Sequence, residues 1–212
     1  MSDGEDRLEW ILGAGRSRED LARDYDSWAD RYDTDSEAWG WKGPGEVAAA
    51  YRRLADRPSA GPILDAGCGT GAVGVALRDL GSHWPLVGAD LSAGMLEQAR
   101  GTGHYHSTVR CSLDRLPFPD GSISAVVSSG VFTHGHVGPE ALAELCRITA
   151  VGGIISITQR LDVADRYRPV AERLEAEGAW HLIEITPPAR FHPCRDETAD
   201  EPVLQSVLTW RV

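Results

Sequence analysis

The stretch "ILDAGCGTGAVG", residues 63–74, governs the reading of everything around it. Ile63 and Leu64 are branched and apolar, Asp65 follows, and Gly67, Gly69 and Gly71 then alternate before an apolar helical pattern begins. A short strand turning sharply into a helix has this composition. Glycines let the backbone take positive φ there and remove the Cβ atoms that would hold a ligand away. The helix starting near Gly71 offers free amide groups to whatever docks against it. A tight turn needed only for packing would account for one such glycine, whereas three in alternation after a strand point to a bound molecule.

Working downstream, "PLVGAD" reads as a second strand and "SAGMLEQAR" as a helix opened by Ser92 as N-cap. "STVRCSL" gives a weak third strand, "SISAVVSSG" a strong fourth, "GPEALAELCRI" an amphipathic helix and "GGIISITQR" a fifth strand. Strands that alternate with single helices imply a parallel sheet covered by helices on both faces, because parallel neighbours need a crossover. After the helix "VADRYRPVAERLEAEG", the strand-like "AWHLIEI" and "VLQSVLTWRV" face each other across a Pro-rich loop with no room for a helix. They are expected to close one edge as an antiparallel hairpin. Upstream, residues 1–60 carry aromatics in an acidic helical background and end in the linker "RPSAG", which reads as an N-terminal helical cap on a core of residues 61–212.

Composition limits the partners. The 212 residues suit one domain, and the formal charge of -11 with a single lysine, Lys42, disfavours nucleic acid. Cys68, Cys111, Cys146 and Cys194 lie too far apart for a zinc site or a disulfide framework, so no metal is expected. "MSDGEDRLEW" lacks the pattern of a signal peptide, and no segment is long and apolar enough for a membrane span, so a cytoplasmic protein is expected, either monomer or homodimer.

Two ligands fit the glycine turn. Gly67-x-Gly69-x-x-Ala72, with Asp90 downstream, formally satisfies a nicotinamide dinucleotide fingerprint. Asp65 argues otherwise, since a carboxylate just before the turn repels a pyrophosphate but attracts an ammonium or sulfonium.

Together, "ILDAGCGTG", "VGADLSAGMLEQAR", "LPFPDGSISAVVSSGV" and "LCRITAVGGIISIT" resemble the class I S-adenosylmethionine-dependent methyltransferases over residues 60–160. "WADRYD" and "ERLEAEGAW" are similar to a narrower group, the Williams-Beuren-region methyltransferase-like proteins. The resemblance implies a Rossmann-like α/β fold with a seven-stranded sheet in the order 3-2-1-4-5-7-6, the last strand antiparallel. It also implies S-adenosyl-L-methionine as cofactor. Gly67, Cys68 and Gly69 would hold its methionyl part with Asp65 near the ammonium, Asp90 would accept from the ribose hydroxyls, and Leu91 and Met95 would pack on the adenine. Where many members carry an acidic residue for the adenine amino group, this chain has Ser112 beside Leu113. Ser129, ending the fourth strand, and Tyr32, in "WADRYD", complete the expected cofactor contacts.

The acceptor side is less sharply marked. Methyl transfer from a sulfonium mainly requires alignment and exclusion of water, so a base is optional. The loop "SSGVFTHGHV" supplies His134 and His136 as base candidates, against the reading that loop histidines are simply solvated. Trp28, Tyr32, Trp39 and Trp41 form either the core of the cap or a lid whose rings face the cofactor. Trp28, Trp39, His134, Arg190 and His192 are the expected acceptor contacts, with Arg195 nearby in the same late loop. The expected function is methylation of a small-molecule acceptor. Alternatives are another displacement or cyclisation at the sulfonium, a binding module without transfer, and a nicotinamide-dependent oxidoreductase.

Overall fold

The computed structural model describes residues 17–55, 61–194 and 201–212, so Arg195, most of the "RPSAG" linker and the boundary at residue 60 lie outside it. The glycine-rich stretch is the first crossover of the sheet. Strand β1 (Ile63–Ala66) leads into helix α4 (Ala72–Asp79), which returns the chain to β2 (Leu86–Asp90). Helix α5 (Ala93–Gly101) then leads to β3 (Ser107–Arg110). Beyond these come β4 (Ile123–Phe132), α6 (Glu140–Ile148), β5 (Thr149–Arg160) and α7 (Ala164–Ala176). The tail adds β6 (His181–Ile185), the two-residue β7 (Ala189–Arg190) and β8 (Leu204–Arg211).

The sheet runs β3-β2-β1-β4-β5-β8-β6, with β7 also paired to β8. It therefore has the expected order with one extra strand, and the antiparallel strand inserted beside β5 is β8. The extra strand escapes a sequence reading because Ala189 and Arg190, between two prolines and Phe191, show no periodicity. Residues alternate between two cores as the pleat requires. Leu64 and Val126 face one cluster with Leu142, Ile155 and Tyr167, while Ile63, Ala125 and Val127 face the other with Val73 and Leu77. Trp180 stacks on Trp210 at 4.7 Å between ring centroids, joining the turn after α7 to β8.

The described residues before β1 divide in two. Helix α3 (Gly43–Leu54) buries Val47, Ala48, Ala50 and Tyr51 in the second cluster and is a layer of the core. Among the described residues of this part, α1 (Arg18–Trp28) and α2 (Tyr32–Ala38) lie over the carboxyl ends of the strands. Polar contacts join them to the core. Asp26 Oδ1 accepts from Ser92 Oγ at 2.5 Å and from the Gly94 amide at 2.8 Å, Thr70 Oγ1 donates to Asp33 at 2.6 Å, and Gln98 Nε2 donates to Asp30 at 2.9 Å. Gly94 permits this approach, since a Cβ there would lie 3.1 Å from Asp26 Cα.

Candidate active site

The turn after β1 is bolted to β2. Amides of Gly67 and Cys68 donate to the Ala89 carbonyl at 2.7 and 3.0 Å, and the Gly69 amide donates to Asp90 Oδ2 at 2.9 Å. Gly67, Gly69 and Gly71 have φ of 72°, 51° and 99°, conformations that disfavour any side chain. Their surroundings differ. A Cβ on Gly67 would lie 2.3 Å from Val131 Cγ2 and one on Gly71 would lie 3.0 Å from the Tyr105 ring, whereas one on Gly69 would meet nothing within 4 Å. Two of these glycines thus make room for neighbouring side chains, and of the three only Gly69 could carry a Cβ into open space. Gly67→Ala is accordingly expected to destabilise the fold by about 2 kcal/mol or more from strain plus overpacking, and Gly69→Ala by about 1 kcal/mol from strain alone. Denaturant unfolding of the two variants makes the comparison, and equal losses would refute it.

That open space belongs to a cleft that, together with its opening to solvent, spans about 720 Å³. Gly67, Gly69, Asp90 and Leu91 border it from the first two crossovers, Met95 from α5, Ser112 and Leu113 from the segment after β3, Ser129 from β4 and Tyr32 from α2. Nine of the eleven expected cofactor contacts therefore meet in one place. Asp65 and Cys68 are not on its wall. The Cys68 side chain turns into the core with Leu96 and Ala99, leaving only its backbone in the turn.

Asp65 is fully buried. Its Oδ2 accepts from Tyr105 at 2.6 Å, while Oδ1 has no partner. Burial, partly offset by the Tyr105 hydrogen bond, pushes its pKa up to about 7. Tyr105 was missed by sequence reasoning. Its ring fills the space left by Gly71, Gly74 and Gly88, a role that no local pattern around residue 105 announces.

Asp90 is also held by backbone. Oδ1 accepts from the Ser92 amide at 2.8 Å, and Oδ2 takes the Gly69 amide. Burial raises its pKa, and these backbone hydrogen bonds oppose the rise. Ser92 caps α5, its hydroxyl accepting from the Met95 amide at 3.1 Å. Ser112 donates to Asp114, which Arg18 of α1 also meets at 2.5 Å. The stand-in for the usual acidic residue is thereby tied to an acid two positions on.

The two histidines part company. His136 lines the cleft, its Nδ1 donating to the His134 carbonyl at 2.7 Å, so Nε2 accepts from the Tyr25 hydroxyl at 2.7 Å. Burial pushes its pKa down and keeps the imidazole neutral. His134 points elsewhere, with Nε2 3.3 Å from Asp162 in a half-exposed pair outside the cleft. Tyr25, unanticipated, lines the cleft from α1.

A second, much smaller chamber adjoins the cleft, and Tyr25, Tyr32 and Gly130 border both. Trp28, Trp39 and His192 line it with Trp41, Thr133 and Phe191. The rings brace one another: Trp28 stands 4.7 Å from Tyr32 and 5.7 Å from Trp39, and His192 stands 5.0 Å from Trp39. Arg190 lies exposed on β7, outside both cavities.

A parallel α/β sheet with a glycine turn, a strand-end carboxylate and a cleft at its carboxyl edge defines a Rossmann-like cofactor-binding protein. Comparison with known proteins narrows this. The family described as "Methyltransferase domain" matches residues 64–157. Human methyltransferase-like protein 27 is 36% identical over 175 residues, covering 79% of this chain and 71% of the human protein. Among solved structures, the cyclase SpnF superposes with a TM-score of 0.66 at 17% identity, covering 94% of this chain and 97% of that one. Geranyl diphosphate C-methyltransferase of Streptomyces coelicolor A3(2), solved with S-adenosyl-L-homocysteine, gives a TM-score of 0.55 at 16% identity, covering 77% and 76%. The chain belongs to the class I S-adenosylmethionine-dependent methyltransferases, and S-adenosylmethionine is its cofactor. Among the described residues, no helix is long and apolar enough to cross a membrane.

Proposed function

We propose that this enzyme methylates a small-molecule acceptor, and the observation that carries the reading is the small, ring-walled chamber opening beside the cleft. The cleft suits the cofactor on two counts: the vacancy at Gly69 and the unpartnered oxygen of Asp65 beneath the same turn. In this reading Asp90 accepts from the ribose hydroxyls, Leu91 and Met95 flank the adenine with Ser112 and Leu113 at its edge, and the turn at Gly67 to Gly69 holds the methionyl end. Asp65 balances the ammonium charge, and Ser129 completes the wall. Bound S-adenosylmethionine supplies an electrophilic methyl group on a sulfonium. The chain itself aligns the acceptor, excludes water and takes a proton where the acceptor carries one. His136, neutral and facing Tyr25, is the base of this reading. His134 fixes it through its backbone carbonyl.

Helices α1 and α2, with Trp28 and Tyr32, act as a lid over the cofactor, and the enzyme works in the cytoplasm as a monomer or homodimer. Their polar tethers to the core support the lid, since partly exposed contacts are individually weak and reversible.

S-adenosylmethionine and S-adenosylhomocysteine are both expected to raise the melting temperature, and NADH to leave it unchanged, because a ligand of the native state stabilises by mass action. The opposite preference in a thermal-shift assay would overturn the reading of the cleft. Product analysis then separates transfer, which yields S-adenosylhomocysteine, from cyclisation at the sulfonium, which yields methylthioadenosine.

Asp65 predicts a pH dependence. Its folded pKa of about 7 lies above the unfolded value, so its contribution to stability is fully present below the unfolded pKa and is lost as pH rises through about 7. Cofactor binding needs the charged carboxylate and therefore strengthens over the same rise. Cofactor-free protein should melt at a lower temperature at pH 8 than at pH 6, while S-adenosylmethionine binds more tightly at pH 8. Asp65→Asn should flatten both trends. Trends that persist in this variant would assign them to another group.

A further inference from the structure

On the far side of Tyr32 and Trp41 from the cleft, which is taken as the cofactor's, lies an open groove between α2, α3 and the start of α4. Together with its opening to solvent it spans about 1430 Å³. Trp41, Pro44, Ala49, Ala72 and Val75 give it apolar walls, and Val75 is 37% exposed there. Tyr32 borders groove, chamber and cleft alike, and Ser36 and Trp41 border both groove and chamber. A few shared side chains, rather than a layer of core, therefore separate this groove from the cofactor site.

Trp41 is the divider. A Cβ on Gly130 would lie 2.9 Å from its ring, and one on Gly43 would lie 2.7 Å both from its Nε1 and from Ser129 Oγ, so the indole packs where β4 lends Ser129 and Gly130 to the cleft wall. Its buried N–H has no hydrogen-bond partner. Packing alone holds the indole, and turning it toward the groove breaks no hydrogen bond while letting the N–H meet water. Gly45 is a second, independent sign of an occupant. It lies inside α3, has no positive φ, and a Cβ on it would meet nothing within 4 Å. Neither backbone nor packing calls for glycine there, and glycine is a poor helix residue. What its missing side chain leaves is space in the groove.

The rim does not select an ion. Asp33 already accepts from Thr70 Oγ1 at 2.6 Å and Glu46 from Gln205 Nε2 at 2.9 Å, while Lys42 and Glu37 add one charge of each sign. About a dozen residues line the groove, fewer than the roughly 20–30 a side of a stable protein interface, which favours a small molecule over a protein partner. We infer that the groove holds the acceptor by an uncharged, apolar chain, and that the nucleophilic end of the same molecule passes Trp41 to reach the methyl group in the cleft. The acceptor is thus an amphiphile in the chemical sense. Its chain is buried against Ala49, Ala72 and Val75, and because Tyr32 and Ser36 ride on α2, one wall of the groove moves with the lid.

The test needs no turnover. Protein saturated with S-adenosylhomocysteine is titrated calorimetrically with 1-octanol and 1-butanol, and 1-octanol is expected to bind at least tenfold more tightly because each further buried methylene adds to affinity. Gly45→Leu fills the groove and Val75→Gln makes its wall polar. Each should weaken 1-octanol at least tenfold while leaving S-adenosylhomocysteine affinity within twofold, which shows that the variants remain folded. Gly45→Leu should also melt no lower than wild type, since leucine is the better helix former. Two photoreactive octanols, with a diazirine at the chain end or beside the hydroxyl, then orient the molecule: the first should label residues 44–49 or 72–75, and the second Tyr25 or residues 129–136. Failure of S-adenosylhomocysteine to bind would overturn the reading of the cleft. Retained S-adenosylhomocysteine binding with 1-octanol no tighter than 1-butanol, including no binding of either, would overturn the chain site alone, as would 1-octanol affinity unchanged in both variants. Labelling by the second probe confined to the rim at Glu37 and Lys42 would overturn the passage past Trp41.

Discussion

Asp90→Ala is expected to weaken S-adenosylmethionine binding roughly 100-fold, about 3 kcal/mol, with the fold retained. Two losses combine. The proposed hydrogen bonds from the ribose go, and hydrogen bonds to a charged group contribute about 1.5–3 kcal/mol each. The Gly69 and Ser92 amides also lose the acceptor that holds them at 2.9 and 2.8 Å, so the turn slackens where the cofactor must lie against it. Asp90→Asn separates the two losses, because an amide keeps one acceptor oxygen but presents an N–H₂ group to the second backbone donor. It should fall between wild type and Asp90→Ala. Calorimetry with S-adenosylhomocysteine on variants of confirmed circular dichroism makes the measurement. Unchanged affinity in folded Asp90→Ala would remove the carboxylate from the cofactor site.

The second large effect lies in the cap. Trp28 is 2% exposed, donates its indole N–H to Asp35, and packs against Tyr25, Tyr32 and Trp39. Truncating so large a buried ring removes about 3–5 kcal/mol from whichever cooperative unit contains it. If α1 and α2 are a lid, that unit is the cap alone. Trp28→Ala should then abolish protection of residues 18–38 in hydrogen exchange and weaken cofactor binding, while β1 and β4 keep their protection. Tyr32→Ala should weaken binding in the same way. In the wild-type protein, cofactor should slow exchange in this segment and change the central strands little. Equal protection with and without cofactor, together with a global loss of stability in Trp28→Ala, would make the cap ordinary core.

These two variants probe residues of different legibility. Asp90 could be found in the sequence because its signal is local: a carboxylate ends an apolar strand, with the Ser92 cap two residues on. The same holds for the glycine turn and the sheet order, since pleat alternation, crossover handedness and cap chemistry act over a few residues. Helix α3 was grouped with the cap for a related reason. Its acidic and aromatic neighbours resemble the cap in composition, and only its contacts with Leu77 and Ile154 in the second cluster show it to be a core layer.

The sequence by itself thus determined the parallel α/β core, the turn that opens the cleft, and the cofactor's class. Tertiary structure alone decided which side chains serve that turn and which line the chamber beside the cleft. Tyr105 supports Asp65 from forty positions away, Tyr25 meets His136 across more than a hundred, and the partnerless atoms of Trp41 and Thr133 come from different elements. Even the reason for each glycine belongs to the folded state, because whether a missing Cβ yields to Val131, to Tyr105 or to open space depends on what the folded sheet brings next to it. Local propensity acts along the chain, whereas a site is assembled by contacts across it. That is why the class of this protein was legible in one short stretch, while the walls of the chamber beside its cleft were not.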